Sequence, residues 1–460
     1  MPPTAVQAPN AWRVLFLLFL ANLFNFFDRT IPAIVTEPVR REWNLSDLQI
    51  GLFGTAFTLI YVLAGIPLGR LADSASRARI MGWGLTLWSG LTALNGLAWN
   101  YWSFLLMRMG VGIGEASYAP AANSLIGDLF PADRRARAMG LFMLGLPLGL
   151  TLAFFTVGAM VEAFGSWRAP FFIAAVPGLL LALFIFFIRE PVRGAAEGRR
   201  VAQIPVKQPI RRLLAIRTFG WLTLAGLAFN FAVYACSLFM VPLLMRYFAM
   251  TLSQAALSTG LIVGVTGLVG LTAGGWLADR THQKWPRGRL LFGALSLLLA
   301  TLFTGVPLLA GRTDAALFVG VFSIGWLCSY CFYTSVYPAI QDVVEPRLRA
   351  TAMALFFAGL YLLGGGLGPV VVGLLSDHFA EAARLAAGAG EMQEHFKAVG
   401  LHDALYVIPV ALLLTTAFLF QASRCFVADA RRMQEGLAAE DPGDPQDGRV
   451  PAGGLTHRPG

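Results

Sequence analysis

Charged side chains are scarce in this chain: Asp, Glu, Lys and Arg make up 13% of 460 residues, while 57% are hydrophobic, with 35 Phe and 49 Gly. A soluble fold cannot hide that much apolar surface. Cysteine is just as rare, and the four present (Cys236, Cys328, Cys331 and Cys425) lie in or beside apolar runs. They read as small core residues, which excludes a disulfide framework. Cys328 and Cys331 have CxxC spacing, but no second pair or nearby histidine joins them, so no metal site is expected. The five histidines (His282, His378, His395, His402 and His457) fall near loops or tails and read as solvated. No Ser-His-Asp arrangement and no Walker-type phosphate loop is present, so neither an enzyme nor an ATP-driven pump is expected and no cofactor is required. Gly110-Val-Gly112-Ile-Gly114 has dinucleotide-like spacing, but it lies inside an apolar run rather than after a strand, which points to close helix packing.

What is present is a series of apolar runs long enough to cross a bilayer, each about 20 residues or more. There are twelve: 12–35, 48–72, 80–98, 101–127, 138–164, 169–188, 219–245, 253–278, 290–311, 315–341, 350–376 and 404–423. Backbone at membrane depth must satisfy its own hydrogen bonds, which such runs do as helices. The fold class is therefore all-α integral membrane, with twelve transmembrane helices. No cleavable signal peptide is expected, because the first run is too long and lacks a small-residue cleavage site. Residues 1–11 form a polar lead, 12–188 a first six-helix half and 189–217 a basic linker with Pro191, Pro205 and Pro209. Residues 218–426 form a second six-helix half, and 427–460 a tail rich in Gly, Pro and Asp that is expected to be disordered. Residues 380–400 have the pattern of a short amphipathic helix between the last two spans.

The net charge of +9 does not signal nucleic acid, because its placement follows the membrane. With the N-terminus cytoplasmic, inner loops and tails hold 26 of the 35 Lys and Arg, the outer loops 7, and Arg29 and Arg108 lie within spans. That asymmetry is the positive-inside pattern, which puts both termini in the cytoplasm and lets the basic surplus meet anionic lipid headgroups.

The halves repeat. Gly69-Arg-Leu-Ala-Asp73 matches Gly275-Trp-Leu-Ala-Asp279 at an offset of 206. Asp128…Arg135…Met139 matches Asp342…Arg349…Met353 at 214, and Gly158-Ala-Met-Val-Glu162 matches Gly373-Leu-Leu-Ser-Asp377 at 215. Parallel six-helix halves of this kind place a site between them near the midplane.

Ionisable residues at bilayer depth are costly and mark function by default. Arg108 and Glu115 lie seven residues apart on the fourth span, nearly two turns, so both face one way about 10 Å apart. Asp28 and Arg29 lie about 16 residues into the first span, at a depth similar to Arg108, with Glu115 near the midplane. Arg108 can pair with Asp28 or with Glu115, and a carboxylate in an apolar site titrates at raised pH. We expect Asp28 and Glu115 to exchange protons while Arg108 sets their order. Arg29 has Asp47 or Glu37 as alternative partners near the outer surface, or a headgroup role. The second-half spans hold no charge before their last few positions. Their polar groups are neutral: Asn230, Tyr234, Thr266, Tyr330, Tyr333, Thr334, Tyr337 and Tyr361. A cavity between such halves has one charged and one aromatic wall. Gly145-Leu-Pro147-Leu-Gly149 and Gly364-Gly-Gly366-Leu-Gly368-Pro369 read as hinges.

Gly69-Arg-Leu-Ala-Asp73…Arg77, with its weaker copy at 275–280, resembles the loop signature of the major facilitator superfamily. Asn22-Leu-Phe-Asn25-Phe-Phe-Asp28-Arg29, and Gly112-Ile-Gly-Glu115-Ala-Ser-Tyr118 followed by Asp128-Leu-Phe-Pro131, resemble the Spinster family of lipid transporters. That family includes exporters of sphingosine-1-phosphate, lysosomal lysophospholipid transporters and bacterial members. The resemblance implies the major facilitator fold, alternating access, and a bacterial inner-membrane protein acting as a monomer. The expected substrate contacts are Arg29, Asn25, Tyr118, Asn230, Tyr330, Tyr333 and Tyr337, and the resemblance points to proton coupling at Asp28, Glu115 and Arg108. It also implies a gate of Gly69, Asp73, Arg77, Asp128, Arg135 and Asp279 that latches the halves. The expected partners are protons, membrane lipids and an amphipathic lipid of the lysophospholipid or sphingoid type. The alternative is a small organic anion or drug on the same fold.

Overall fold

The computed structural model of the protein describes residues 10–191, 209–309, 314–345 and 348–440, with the side chains of residues 73, 132, 133, 136, 209, 350 and 436–440 outside that description. Its described elements are helical. The first span is α1 (Ala11–Ile34), followed by a short α2 (Thr36–Trp43), then α3 (Asp47–Ser74) and α4 (Arg77–Asn95). The fourth span is broken into α5 (Tyr101–Ala116) and α6 (Tyr118–Leu129), and the fifth into α7 (Ala132–Met143) and α8 (Gly145–Phe164). The sixth is α9 (Ala169–Phe186), and α10 (Pro209–Leu214) precedes α11 (Arg217–Tyr247). The eighth span joins α12 (Leu252–Thr259) to α13 (Thr266–Lys284) through a π-helical segment, Gly260–Val265. Then come α14 (Gly288–Leu309), a tenth span broken into α15 (Ala315–Ser329) and α16 (Cys331–Val343), and an eleventh built from α17 (Arg349–Gly359), a π segment Leu360–Gly365 and α18 (Gly366–Ala386). The short α19 (Glu394–Ala404) leads into α20 (Val407–Glu440). Among the described residues ten helices are long and apolar enough to cross a membrane. The less apolar α4 and the broken, more polar α5–α6 complete the twelve.

The breaks have local causes. A proline deprives the carbonyl four residues earlier of its helical partner. Pro120, Pro147 and Pro369 stand four residues beyond Ala116, Met143 and Gly365, where α5, α7 and the second π segment end. Breaks also fall at repeated places: Ser117 separates α5 from α6, and Tyr330, 213 residues on, separates α15 from α16. The second and eighth spans both begin with capping boxes, Ser46 with Gln49 and Thr251 with Gln254, which satisfy the free amides of the first turn.

Across an even number of spans the start of α1 and the described end of α20 fall on one side, here the tail side; the opposite one is the far side. On the far side α18 packs along α3, and α12 with its π segment packs along α8. Gly158 and Gly373 sit in these two seams, where an added Cβ would stand 2.8 Å from Ser253 Cα and 2.3 Å from Asp47 O. Toward the tail side α7 packs on α1, α6 and α8, and α17 on α10, α11, α16 and its π segment. One apolar cluster crosses both halves, including Phe53, Phe154 and Phe239, while a second, with Leu15, Trp88 and Ile185, belongs to the first half alone. The halves thus meet on the far side and part toward the tail side.

Three expectations are corrected. The chain past residue 427 continues as α20 to Glu440, because Ala, Arg, Met, Gln and Glu there are strong helix formers. Asp429 in that extension is buried and accepts bonds from the Thr218 amide (2.9 Å) and hydroxyl (2.8 Å). Residues 441–460 lie outside the described part. The 380–400 segment is not one helix: α18 runs to Ala386, a turn through Gly388 at φ +64° follows, and α19 starts at Glu394. His402 is buried rather than solvated, stacked on Tyr247 at 4.3 Å with Nε2 3.1 Å from Leu308 O.

Candidate functional site

The charged residues of the first and fourth spans converge, with partners other than those expected. Arg29 on α1 donates from Nε (3.0 Å) and Nη2 (2.7 Å) to Glu115 Oε2 at the end of α5. Arg108 does not reach Glu115. It sits two turns back on the same helix, and helical side chains lean toward the N-terminus, so it leans away. Nor does Arg29 reach Glu37 or Asp47, which Arg246 occupies. The Phe57 ring of α3 is shared, with the Arg29 and Arg108 guanidinium carbons at 5.1 and 4.8 Å from its centroid. Asp28, Arg29 and Glu115 all act electrostatically on Arg108. Five buried polar atoms here have no hydrogen-bond partner: both Asp28 oxygens, Arg108 Nη1, Glu115 Oε1 and Asn25 Nδ2. Orphaned groups are rare in folded proteins and mark strain, function or a missing ligand.

Facing the cluster is a run of half-buried rings from the second half. Tyr330 lies 6.1 Å from Tyr333, Tyr333 5.5 Å from Tyr337, and Tyr337 5.6 Å from Phe357. Phe357 lies 6.2 Å from Tyr361, and Tyr361 6.3 Å from Tyr234. Tyr234 and Tyr361 lie close enough to Arg29 to interact with its charge. On the first-half side Tyr61 holds Arg29 at 4.6 Å. The site therefore has one wall of ions and one of aromatic rings tipped with hydroxyls.

Of the residues named from sequence, Asp28, Arg29, Arg108, Glu115 and Asn25 share this site, and Tyr333 and Tyr337 stand in its aromatic wall. Tyr118 and Asn230 serve the backbone instead, and Tyr330, whose ring belongs to the wall, commits its hydroxyl in the same way. Tyr118 donates to Leu18 O, Tyr330 to Val263 O in the first π segment, and Asn230 to Leu360 O (2.9 Å) in the second. Phe57 and Tyr61 were not anticipated, and Tyr234 and Tyr361 only as neutral groups. Their signal was present, since Phe57 and Tyr61 recur one turn apart on the second span.

The expected gate residues form a separate network on the tail side. Buried Arg77 binds Ser124 (3.0 Å), Asp128 and Glu190 (3.2 Å), all within the first half, so its bonds do not latch one half to the other. Glu190, missed in the sequence, also accepts from Ser76 Oγ (2.5 Å) and the Ala78 amide (3.0 Å). Burial pushes its carboxyl up, but these donors and Arg77 hold it below the usual range. The second half repeats the scheme, with Arg289 binding Asp342 (2.9 Å) and Asp279 (3.0 Å). Arg135 binds the carbonyls of Gly127 (2.9 Å) and Phe130 (3.3 Å) and so fixes the turn between α6 and α7. Gly69 faces Pro120 at ordinary contact distance. The Asp73 side chain lies outside the described residues.

Two parallel six-helix units, broken at matching places around an intramembrane charge cluster, agree with a family model of the Major Facilitator Superfamily that matches residues 18–380. The chain belongs to the Major Facilitator Superfamily. This transporter is 32% identical to an MFS-type efflux pump of Mycolicibacterium smegmatis (strain ATCC 700084 / mc(2)155), over 81% of this chain and 86% of that one. It is 28% identical to the sphingosine-1-phosphate transporter SPNS2 of Danio rerio, over 90% and 84% of the two chains. A crystal structure of a bacterial homolog to the human lysosomal transporter Spinster, inward-facing and unoccupied, superposes with a TM-score of 0.81 at 28% identity, covering 92% of this chain and 99% of that one. The transporter is thus a Spinster-like member of the superfamily, and the resemblance carried by its first and fourth spans holds. It is an integral membrane protein and not an enzyme.

Proposed function

We propose that the protein is a proton-coupled secondary transporter of lysophospholipid or sphingoid-type lipids, working by alternating access in a bacterial inner membrane with both termini cytoplasmic. The observation that carries this reading is the two-walled site. A polar headgroup fits the charged wall, where Arg108 has an uncommitted donor, and a single chain fits the aromatic wall from Tyr234 to Tyr330. The match to a sphingosine-1-phosphate transporter supports the lipid class. Asp28 takes up and releases the proton, since neither of its buried oxygens has a partner at hydrogen-bond geometry, with Trp88 the donor beside them. Unprotonated, it draws Arg108; protonated, it frees Arg108 for the headgroup. Arg29 and Glu115 join α1 to α5 while this exchange runs. The tail side is then the cytoplasmic side, and the cavity opens inward.

A second reading has the same fold moving small organic anions or drugs, with Arg108 binding the substrate carboxylate; the match to an efflux pump favours it. Uptake into reconstituted vesicles, across a panel of lysolipids, sphingoid phosphates and short acids with and without a pH gradient, separates them. Chain-length dependence driven by the gradient is expected. Transport of short acids without any chain-length dependence overturns the lipid reading.

A further inference from the structure

The strongest tie between the halves lies apart from the substrate site, at the far end of the α3–α18 seam. Arg246 of α11 is buried there with a side-chain exposure of 2%. It donates from Nε to Glu37 (2.7 Å) on α2, and from both terminal nitrogens to Asp47 (2.8 Å each) at the start of α3. Asp47 also accepts from Ser376 Oγ (2.6 Å) of α18, while Asp377 accepts from the amides of Asp47 and Leu48 (2.9 Å each). Glu37 further holds Arg40 (2.7 Å) and Arg41 (2.9 Å), and Arg40 reaches Glu394 (2.5 Å) of α19. The symmetry-related seam has much less. There Glu162 caps the Ser253 amide (3.0 Å) at an exposed position. The two caps are copies of one device, because Glu162 matches Asp377 at an offset of 215 and Asp47 matches Ser253 at 206. The ion cluster was added to one copy only.

We propose that Arg246 is a positioning residue for transport: its guanidinium holds the far side closed, and its release lets the cavity turn outward. The energetics suit a door that must cycle. A buried ion pair loses in desolvation much of what it gains by attraction, so hydration on opening returns much of what separation costs. Removing one partner is different. Without Arg246, the buried carboxylates of Glu37 and Asp47 are left beside Asp377 with one fewer cation, and the closed state loses its advantage. The proposal is independent of the substrate and rests on alternating access alone.

The test is a pair of distances. Spin labels go on exposed Trp99 and Leu309, at the far-side ends of the two halves, and separately on exposed Phe187 and Trp285, at their tail-side ends. The background lacks the four native cysteines. Electron–electron resonance distances are read in vesicles for the parent, Arg246→Met and Arg246→Lys. In Arg246→Met the far-side distribution is expected to lengthen while the tail-side one shortens, with a far-side-open population going from minor to major. Arg246→Lys keeps the charge and is expected to fall between the two. Unchanged distances in a folded, monodisperse Arg246→Met protein overturn the proposal. If Arg246→Met does not fold, Asp47→Asn is read in the same way; failure of all three variants to fold would make the cluster a static staple and overturn it too.

Discussion

In the first half Asn22 of α1 donates to Phe142 O (3.0 Å), just before the break at Leu144; in the second Asn230 of α11 donates to Leu360 O (2.9 Å), in the π segment. Arg77 gathers Asp128 on one tail-side end, and Arg289 gathers Asp342 on the other. The skeleton of breaks, caps and ion pairs is thus duplicated. The contents of the cavity are not. Asp28, Arg29, Arg108 and Glu115 have neutral or aromatic counterparts across the midline, and the second half offers Tyr234, Tyr333, Tyr337 and Tyr361 instead. Duplication preserved what a rocking carrier needs mechanically, while divergence separated the chemistry. Under the proposed function, one half would handle protons and the headgroup, and the other the chain.

That division can be broken experimentally. The largest effect is expected from Arg29→Ala, which strands Glu115 in a buried site; losing one partner of such a pair costs about 3–5 kcal/mol. Thermal melting of the purified protein and uptake should both collapse, and a melt within experimental error of the parent would refute the pairing. Asp28→Asn should come next, flattening the pH dependence of uptake while leaving gradient-independent exchange of substrate. A parent-like pH profile would return Asp28 to a packing role. In the opposite half Tyr337→Ala should leave the pH profile intact and raise KM roughly two- to tenfold, since an aromatic contact contributes about 0.5–1.5 kcal/mol. A changed pH profile there would dissolve the division of labour. The smallest effects test the skeleton: Asn22→Ala and Asn230→Ala should each cost about 1 kcal/mol in melting, and by similar amounts, because they do the same job in each half.

The far-side cluster supplies a pH prediction with a definite sign. Burial alone would raise the Glu37 carboxyl, but Arg246 and the bonds from Arg40 outweigh it and hold it at about 2, against an ordinary 4.5. A carboxyl lowered by folding contributes stability that is complete above 4.5 and drains away as pH falls toward 2. Melting temperature should therefore decline over that window, and Glu37→Gln should remove that part of the decline. Glu37 stays ionised near neutral pH, so its titration should not alter the pH profile of transport there.

Much of this was legible in sequence. Twelve apolar runs, three repeated landmarks and two charged spans announce the architecture, because bilayer thickness and helix geometry leave few alternatives. The membership of the central cluster was also readable. What escaped was the choice of partners. On paper Glu115 falls to Arg108 and Arg29 to Glu37 or Asp47, whereas the lean of side chains along α5 takes Arg108 away and leaves Glu115 to Arg29. The Arg246 cluster escaped because its members are 199 to 209 residues apart and sit at span ends, where charges are commonplace. Tyr118 and Asn230 look like ligand contacts in a linear reading. Their polar atoms are taken by carbonyls near helix breaks, and a sequence does not display which carbonyls a break sets free.

The glycines at 158 and 373 carry a last implication. At these points the halves touch backbone to backbone, with no side chain between them to flex. Shut in this way, the far mouth has a single fit, with backbone set against backbone in both seams. Even one methyl group at Gly373 would act as a doorstop, and under the proposed coupling a carrier wedged ajar would squander its gradient.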